Sequence, residues 1–440
     1  MIINKNNELV LFLLLIIIFL GACSSGSSNV EKENGGETNN ETANEKNEIE
    51  IKAFSNEEET IKVATVWGTE YFDERIGDYV TDKLPHLTIE HVDWDGTTEN
   101  LEELYAEDTV PDVFLTSTGQ EPLEELDSVY GLDEMIESYD VDLTHIQDIA
   151  LETIRSRDKE RRLVGIPQET SVIGLYYNKE IFDVFGESYP NPDESMTWGE
   201  LMKLAGKLSG ERNGTNYCGL DMEDLESAPL RQLSLNKTDP ETGEVLIQSE
   251  PQFSDYVKLM DEFYNLPNND AEDCDFLGKT TAMKIGWQGV FVWDEPENME
   301  EIDVVPLPIW ENSPGIGPMS DGHPWAINKH SEHKEAALQF ILEGVSKEYQ
   351  TILSRSGTPV PSTATRPNEE YGLDNPNMEN KNVSAFFAND PAPPPEQISV
   401  WDKYVEFDFE ELEESSDVIE FLRKTEEESD IRIQEAMSSQ

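Results

Sequence analysis

The chain has 440 residues, enough for two or three domains, and carries 93 Asp and Glu against 31 Lys and Arg, a net charge of −62 at neutral pH. A field of that sign repels nucleic acid and anionic lipid headgroups and excludes a nucleic-acid binder. It favours solubility and suits salty or alkaline surroundings, and it fixes nothing about the fold.

The apolar stretch 9–22 is too short for a membrane span, which takes roughly 20 residues. It reads as the core of a signal peptide over 1–22, with Gly21 and Ala22 as small residues before the cut. Leu20-Gly21-Ala22-Cys23 resembles the bacterial lipobox, which implies a diacylglyceryl group on Cys23. Two acyl chains anchor stably where one holds poorly, at about 10⁴ M⁻¹. The alternative is a short anchor that is never cleaved. Residues 23–59 are Ser, Asn, Gly, Glu and Thr with few apolar side chains, and predict a lipidated, disordered tether. Two cysteines remain, Cys218 and Cys274, which an exported protein either pairs or keeps as buried thiols.

Residues 60–67, TIKVATVW, predict a strand, 71–84 a helix, 87–92 a strand, 98–107 a helix and 112–115 a short buried strand. This β-α-β-α-β order implies a mainly parallel sheet with right-handed crossovers. Ligands of such sheets sit beyond the carboxyl ends of the strands. Here those ends are 67–70, 93–95 and 116–120, each polar with an aromatic or Gly nearby.

Residues 163–166 start another strand, which breaks at Pro167. Gln168, Glu169, Thr170 and Ser171 form a polar step, and 172–177 is a second β-rich run that Asn178 ends by capping a helix. No helix separates the two strands. Either the chain leaves one sheet for another here, or this is a bulged hairpin in one sheet. At a seam between two bodies such polar side chains face a pocket. Thr197-Trp198-Gly199-Glu200 is a capping box ahead of an amphipathic helix, and 253–266 is a further helix. Residues 282–285 predict a short strand leading to Trp287 and Gln288, with Gly286 and Gly289 leaving the Trp287 ring uncrowded by its neighbours in sequence. Residues 331–343 form an amphipathic helix, and the tail from about 415 to 437 is a charged helix over a second lobe.

Several segments, in order over about 60–440, resemble the family 1 extracellular solute-binding proteins of ABC importers, maltose-binding-protein-like. They are Val110-Pro111-Asp112-Val113, Gly165-Ile166-Pro167 with Tyr176-Tyr177-Asn178-Lys179 and Phe182, Thr197–Glu200, 278–289 (GKTTAMKIGWQG), 302–309 (IDVVPLPI) and 356–361 (SGTPVP). The resemblance implies an α/β, two-lobed periplasmic-binding-protein-like fold, each lobe a mostly parallel sheet flanked by helices, with a hinge between them. Lobe 1 would be 60–170 with 302–328, lobe 2 171–301 with 329–440, and the crossings would lie near Thr170, Glu301 and Asn328. Carried onto this chain, the cleft residues are Trp67 and Glu70; Thr116, Ser117 and Gln120; Glu169 and Ser171; and Trp287, with Asp321 and His323 in the return loop. A sugar ring offers an apolar C–H face for an aromatic plane and a rim of hydroxyls for polar groups. Phe386-Phe387 and 391–395 are a possible further wall.

The residues offer little chemistry. Asp93 and Asp95 could form an acid–base pair, but in a chain this acidic a turn is the plainer reading. His330 and His333 read as a solvated helix start, and HExxH, Walker A and Gly-x-Ser-x-Gly motifs are absent. Asp273-x-Asp275 is similar to a calcium loop, but Lys284 stands where the bidentate carboxylate belongs. The expectation is a monomeric, non-enzymatic receptor on the outer face of a Gram-positive cell membrane, anchored through Cys23. It would take no cofactor or metal, bind a carbohydrate, expected to be an oligosaccharide, and deliver it to an ABC permease. The alternatives are a receptor for a peptide, a polyamine or iron, and a secreted polysaccharide hydrolase using Asp93 or Glu169.

Overall fold

A computed structural model describes residues 51–116, 120–222, 225–268, 274–294, 299–364, 368–409, 412 and 417–439. The signal peptide 1–22, Cys23 and the tether to residue 50 lie outside the described residues, as does Ser117.

In chain order the strands are β1 (Glu59–Thr65), β2 (Leu87–Asp93), β3 (Val113–Leu115), β4 (Ile166–Glu169), β5 (Ile173–Asn178), β6 (Gly210–Arg212), β7 (Thr215–Tyr217), β8 (Met283–Trp287), β9 (Ile302–Val305), β10 (Ile316–Gly317), β11 (His323–Ile327) and β12 (Asp390–Pro391). The first sheet runs β2-β1-β3-β11-β4. β1 is parallel to β2 and β3, and β11 is antiparallel to β3 and β4. Side chains alternate between its faces as strand geometry requires. Ile61, Val63, Val113 and Trp325 enter one core, while Ala64, Phe114 and Ala326 enter another.

The second sheet runs β8-β5-β9. Leu175, Ile285 and Val305 face one core; Tyr176, Ile302 and Val304 face another. Both of its seams are antiparallel, where the sequence reading expected a mostly parallel sheet. Parallel pairing beside it is seen at single bridges, Cys218 to Thr281, Asp221 to Lys284 and Thr197 to Ile309. β5 reaches β8 through a long excursion over residues 179–282. Within that excursion Cys218 and Cys274 form a disulfide across 56 residues, which settles the choice left open by the sequence.

Only Thr170–Val172 separate β4 in the first sheet from β5 in the second, so the polar step is a crossing and not a hairpin. Two boundaries of the sequence reading need correction. Ile302–Val305, placed with lobe 1, pairs with β5 in the second sheet, so the chain returns to the first sheet only at His323. Residues 329–360, placed with lobe 2, belong to the first body. Helices Lys334–Gly344 and Lys347–Ser356 bury Ala337, Phe340, Ile341, Tyr349 and Leu353 against Ile61, Phe72 and Trp325, and Phe340 meets Trp325 edge-on at 5.2 Å. The last helix, Val418–Ser439, buries Phe421, Leu422 and Ile433 in the second core.

The tether also ends earlier than 59. Residues 51–58 dock on the first body: Lys52 N–H donates to the Ser138 carbonyl at 2.8 Å, Phe54 stacks on Tyr139 at 4.5 Å, and Gln339 Nε2 donates to the Ser55 carbonyl at 3.1 Å. No helix among the described residues is long and apolar enough to cross a membrane.

Candidate binding cleft

A cavity of about 510 Å³ opens between the two sheets, within the range of roughly 300–1,000 Å³ usual for small-molecule sites. Thr153, on helix Asp148–Arg157, and Val360 bound it from the first body. The crossing residues Thr170–Val172 form its back, and Ile173, Trp287 and Leu307 come from the second sheet side. β10 pairs with β12, which brings Gly317 and Asp390–Pro391 into the wall beside Met319, Ser320 and Asn389.

The two adjacent phenylalanines divide their roles. Phe386 is buried and packs edge-on against Tyr176 at 5.9 Å and Tyr371 at 6.2 Å. Phe387 lines the cavity, is 43% exposed, and leans edge-on against Tyr371 at 5.0 Å. Around it lie hydroxyl and amide groups of Ser171, Ser320, Ser384, Asn368 and Asn389. Trp287 also lines the cavity but is half-buried against the second core, and the Arg231 guanidinium lies 5.6 Å from its ring. The neighbouring glycines do not clear space for this ring. A Cβ on Gly286 would meet the Tyr176 ring at 3.1 Å, and one on Gly289 would meet Trp293 at 2.6 Å.

Two charged clusters adjoin the cavity in sequence. Next to Thr170, Arg75 Nη2 donates to Glu169 Oε2 at 2.6 Å and Nη1 to the Tyr71 hydroxyl at 2.8 Å. The same guanidinium lies 4.8 Å from the Trp67 ring, and His323 Nδ1 is 3.8 Å from Glu169 Oε1. Burial pushes the Glu169 carboxyl up, but Arg75 and His323 outweigh it and hold it below the ordinary carboxylate range. Next to Ser320, Asp321 joins Arg157 at 3.0 Å and Arg231 at 2.6 Å, and Arg231 Nη2 also donates to the Met319 carbonyl at 2.6 Å.

Of the residues predicted from sequence, Ser171 and Trp287 therefore line the cavity itself. Trp67, Glu169 and His323 meet in the Arg75 cluster, and Asp321 holds the arginine pair. Glu70 is exposed. Thr116 and Gln120 are buried within the first body, where Thr116 Oγ1 donates to the Pro324 carbonyl at 3.4 Å and Gln120 Nε2 to that of Val164 at 3.2 Å. The sequence reading missed Arg231, Arg157, Arg75 and Asn389. It noted Phe387 only as part of a wall.

The carboxylates suspected of chemistry have structural partners. Asp95 accepts from the Thr97 N–H at 2.9 Å and the Thr97 hydroxyl at 2.6 Å in a turn, and Glu169 is held by Arg75. His333 Nδ1 lies 2.8 Å from Glu59. Among the described residues no group of three or more His, Cys, Asp and Glu could hold a metal ion.

Comparison with known proteins agrees with this architecture. The family model described as bacterial extracellular solute-binding protein matches residues 81–380. No curated protein matches the chain significantly. Among solved structures, a sugar transporter from Rhizobium etli in an open conformation has a TM-score of 0.64 at 16% identity, over 84% of this chain and 99% of that one. An ABC substrate-binding protein from Listeria monocytogenes in complex with cycloalternan has 0.62 at 16% identity, over 85% and 98%. UgpB from Mycobacterium tuberculosis in complex with glycerophosphocholine has 0.62 at 16% identity, over 86% and 99%. At such identities the likeness is one of fold.

Proposed function

The chain belongs to the bacterial extracellular solute-binding proteins, and from that premise we propose that it captures an oligosaccharide in the cleft and delivers it to the permease of an ABC importer. The observation that carries the carbohydrate reading is the exposed Phe387 ring in a cavity rimmed by uncharged hydroxyl and amide groups. A ring plane covers the C–H face of a sugar, and the rim bonds its hydroxyls. The relative that binds cycloalternan supports the same reading. A polyamine or iron suits the cavity poorly, because Arg231 lines it.

Ser171, Trp287, Phe387, Asn389 and Arg231 are the contacts we assign, with Trp67, Glu169, Asp321 and His323 lining the approach. Closure rotates the bodies about the Thr170–Val172 crossing and the two later ones, which lie between Val305 and His323 and between Val360 and Tyr371 rather than near Glu301 and Asn328, and the permease reads the closed form. The site binds its solute and returns it unchanged. Acylation of Cys23 holds the protein on the outer face of the membrane.

The test is a thermal-shift panel on residues 51–440 with neutral and acidic oligosaccharides. Ligand at 100 times its dissociation constant adds about 2.7 kcal/mol of stability. A response to glycerophosphodiesters or peptides with none to any carbohydrate overturns the proposal. Release of Cys23→Ala from the membrane tests the anchor.

A further inference from the structure

We propose that the captured sugar is anionic, carrying a carboxylate or phosphate that Arg231 and Arg157 receive. This rests on the carbohydrate reading above and narrows it. Basic residues are scarce in this chain, 31 against 93 acidic ones, yet two guanidiniums converge on one carboxylate at the cavity edge. Arg157 Nη2 lies 3.0 Å from Asp321 Oδ1, and Arg231 Nη2 lies 2.6 Å from Asp321 Oδ2. The pair therefore keeps one positive charge in excess. By contrast Arg75 is matched by Glu169. Asp390, the acidic residue that lines the cavity among the described residues, is exposed and forms no ion pair with either arginine there.

Hydrogen bonding points the same way. Each guanidinium carries five N–H donors and no acceptor. Against ten donors, the protein acceptors of this pair among the described residues are the Asp321 carboxylate and the Met319 carbonyl. Arg157 Nε is buried and has no protein acceptor among them. Arg231 itself lines the cavity, and Arg157 stands one helical turn beyond Thr153, which also lines it. A carboxylate or phosphate fits such a place because two of its oxygens take guanidinium donors as a pair. Asp321 acts there as a tethered internal anion on a partly exposed loop, and the ligand anion joins or displaces it. The distant acidic surface opposes this weakly, since charges beyond about 8–10 Å are largely screened at physiological salt.

The experiment measures affinities of the full chain for trigalacturonate, trehalose 6-phosphate and maltotriose, which separate carboxylate, phosphate and neutral ligands. One of the two anionic sugars should bind at least about tenfold more tightly than maltotriose, and more weakly as salt rises. Arg231→Gln should lose that preference while still unfolding in one cooperative urea transition, at a midpoint lowered by the loss of its bonds to Asp321 and Met319. Asp321→Asn should bind the anionic sugar more tightly, because the internal competitor is gone; a purely structural brace would weaken all ligands alike. Maltotriose binding as tightly as both anionic sugars, or Arg231→Gln keeping the preference, overturns the inference and leaves the carbohydrate reading standing. No binding of any of the three overturns the inference, and the carbohydrate reading then falls if the wider panel also gives no response to any carbohydrate.

Discussion

Glu169→Gln should destabilise the fold, and the amount follows from the Arg75 pair. The two side chains are 10% and 14% exposed and their charged atoms lie 2.6 Å apart. Removing one partner of a fully buried pair costs about 3–5 kcal/mol, because the other charge is left without compensation. Arg75 keeps the Tyr71 hydroxyl and the Trp67 ring as neighbours, so we expect a loss at the lower end, about 2–4 kcal/mol. The pH dependence adds a second signature. The Glu169 carboxyl titrates below its ordinary value in the fold, despite burial, because of Arg75 and His323. A depressed carboxylate contributes stability that is present above the ordinary carboxylate range and lost as pH falls through the folded value. The gap between wild type and Glu169→Gln should therefore be constant at neutral pH and close in acid. Urea unfolding of both proteins from neutral pH down to about pH 3 measures it. A gap under about 0.5 kcal/mol at neutral pH, or one that persists unchanged in acid, refutes the pairing. Unchanged stability with lost ligand affinity would instead make Glu169 a ligand contact.

Phe387→Ala should weaken sugar binding by about 2 kcal/mol or more, as a central aromatic contact does, with little effect on unfolding because the ring is exposed. Trp287→Ala should weaken binding as well, since the ring lines the cavity, and should also lose stability toward the low end of the roughly 3–5 kcal/mol of a buried tryptophan; calorimetric titration and urea unfolding of both variants decide the matter. Reducing the Cys218–Cys274 disulfide, which spans 56 residues, should lower stability by about 4 kcal/mol on the chain-entropy account, and a Cys218→Ser/Cys274→Ser double variant should be indifferent to reductant. Raising sodium chloride from about 0.05 to 1 M should raise the melting temperature, because salt screens the mutual repulsion of a chain with net charge −62; a flat or falling curve counts against it.

Local pattern shows what an element is better than what it packs against. The first three strands were legible because β-branched runs alternate with helical ones. At Thr170 the local pattern, two strands across a proline and four polar residues, allowed a crossing or a bulged hairpin; the family resemblance implied the crossing, and the sheet order decides it. The partner of Ile302–Val305 was not legible: apolar residues at 302, 304 and 305 suit either sheet, and only pairing with β5 decides. Helix Lys334–Gly344 announces an apolar face without naming the sheet it covers. The same limit governs the site. Thr116 and Gln120 stand where strand-end reasoning puts ligand contacts, yet their side chains bond carbonyls inside the first body. Arg231 carries no local signal, since a lone arginine on a helix reads as solvated, and Arg157 sits in the mixed-charge run 155–162, which reads as a solvated face. Only the fold sets both against Asp321.

That convergence bears on closure. Two acidic bodies that approach across a cleft repel each other, and in this chain the contacts across the seam use its scarce cations. Arg157 and Arg231 share Asp321, Lys403 reaches Glu121, and Arg161 donates to the Glu396 carbonyl beside the bonds from Gln397 Nε2 and Ile398 N–H to the Ser156 carbonyl. These four cations oppose the repulsion at short range, Arg157 and Arg231 partly shielded from water and Lys403 exposed, while the acids that create it are spread over the chain. A ligand anion placed between Arg157 and Arg231 adds to the attraction at the seam and leaves the surface field almost unchanged. Salt does the opposite: it weakens the long-range repulsion first and the partly buried pairs least. Ligand and salt thus bias the same closing equilibrium through different charges, and this is how a receptor with so strong a field of one sign can still close on a solute of that sign.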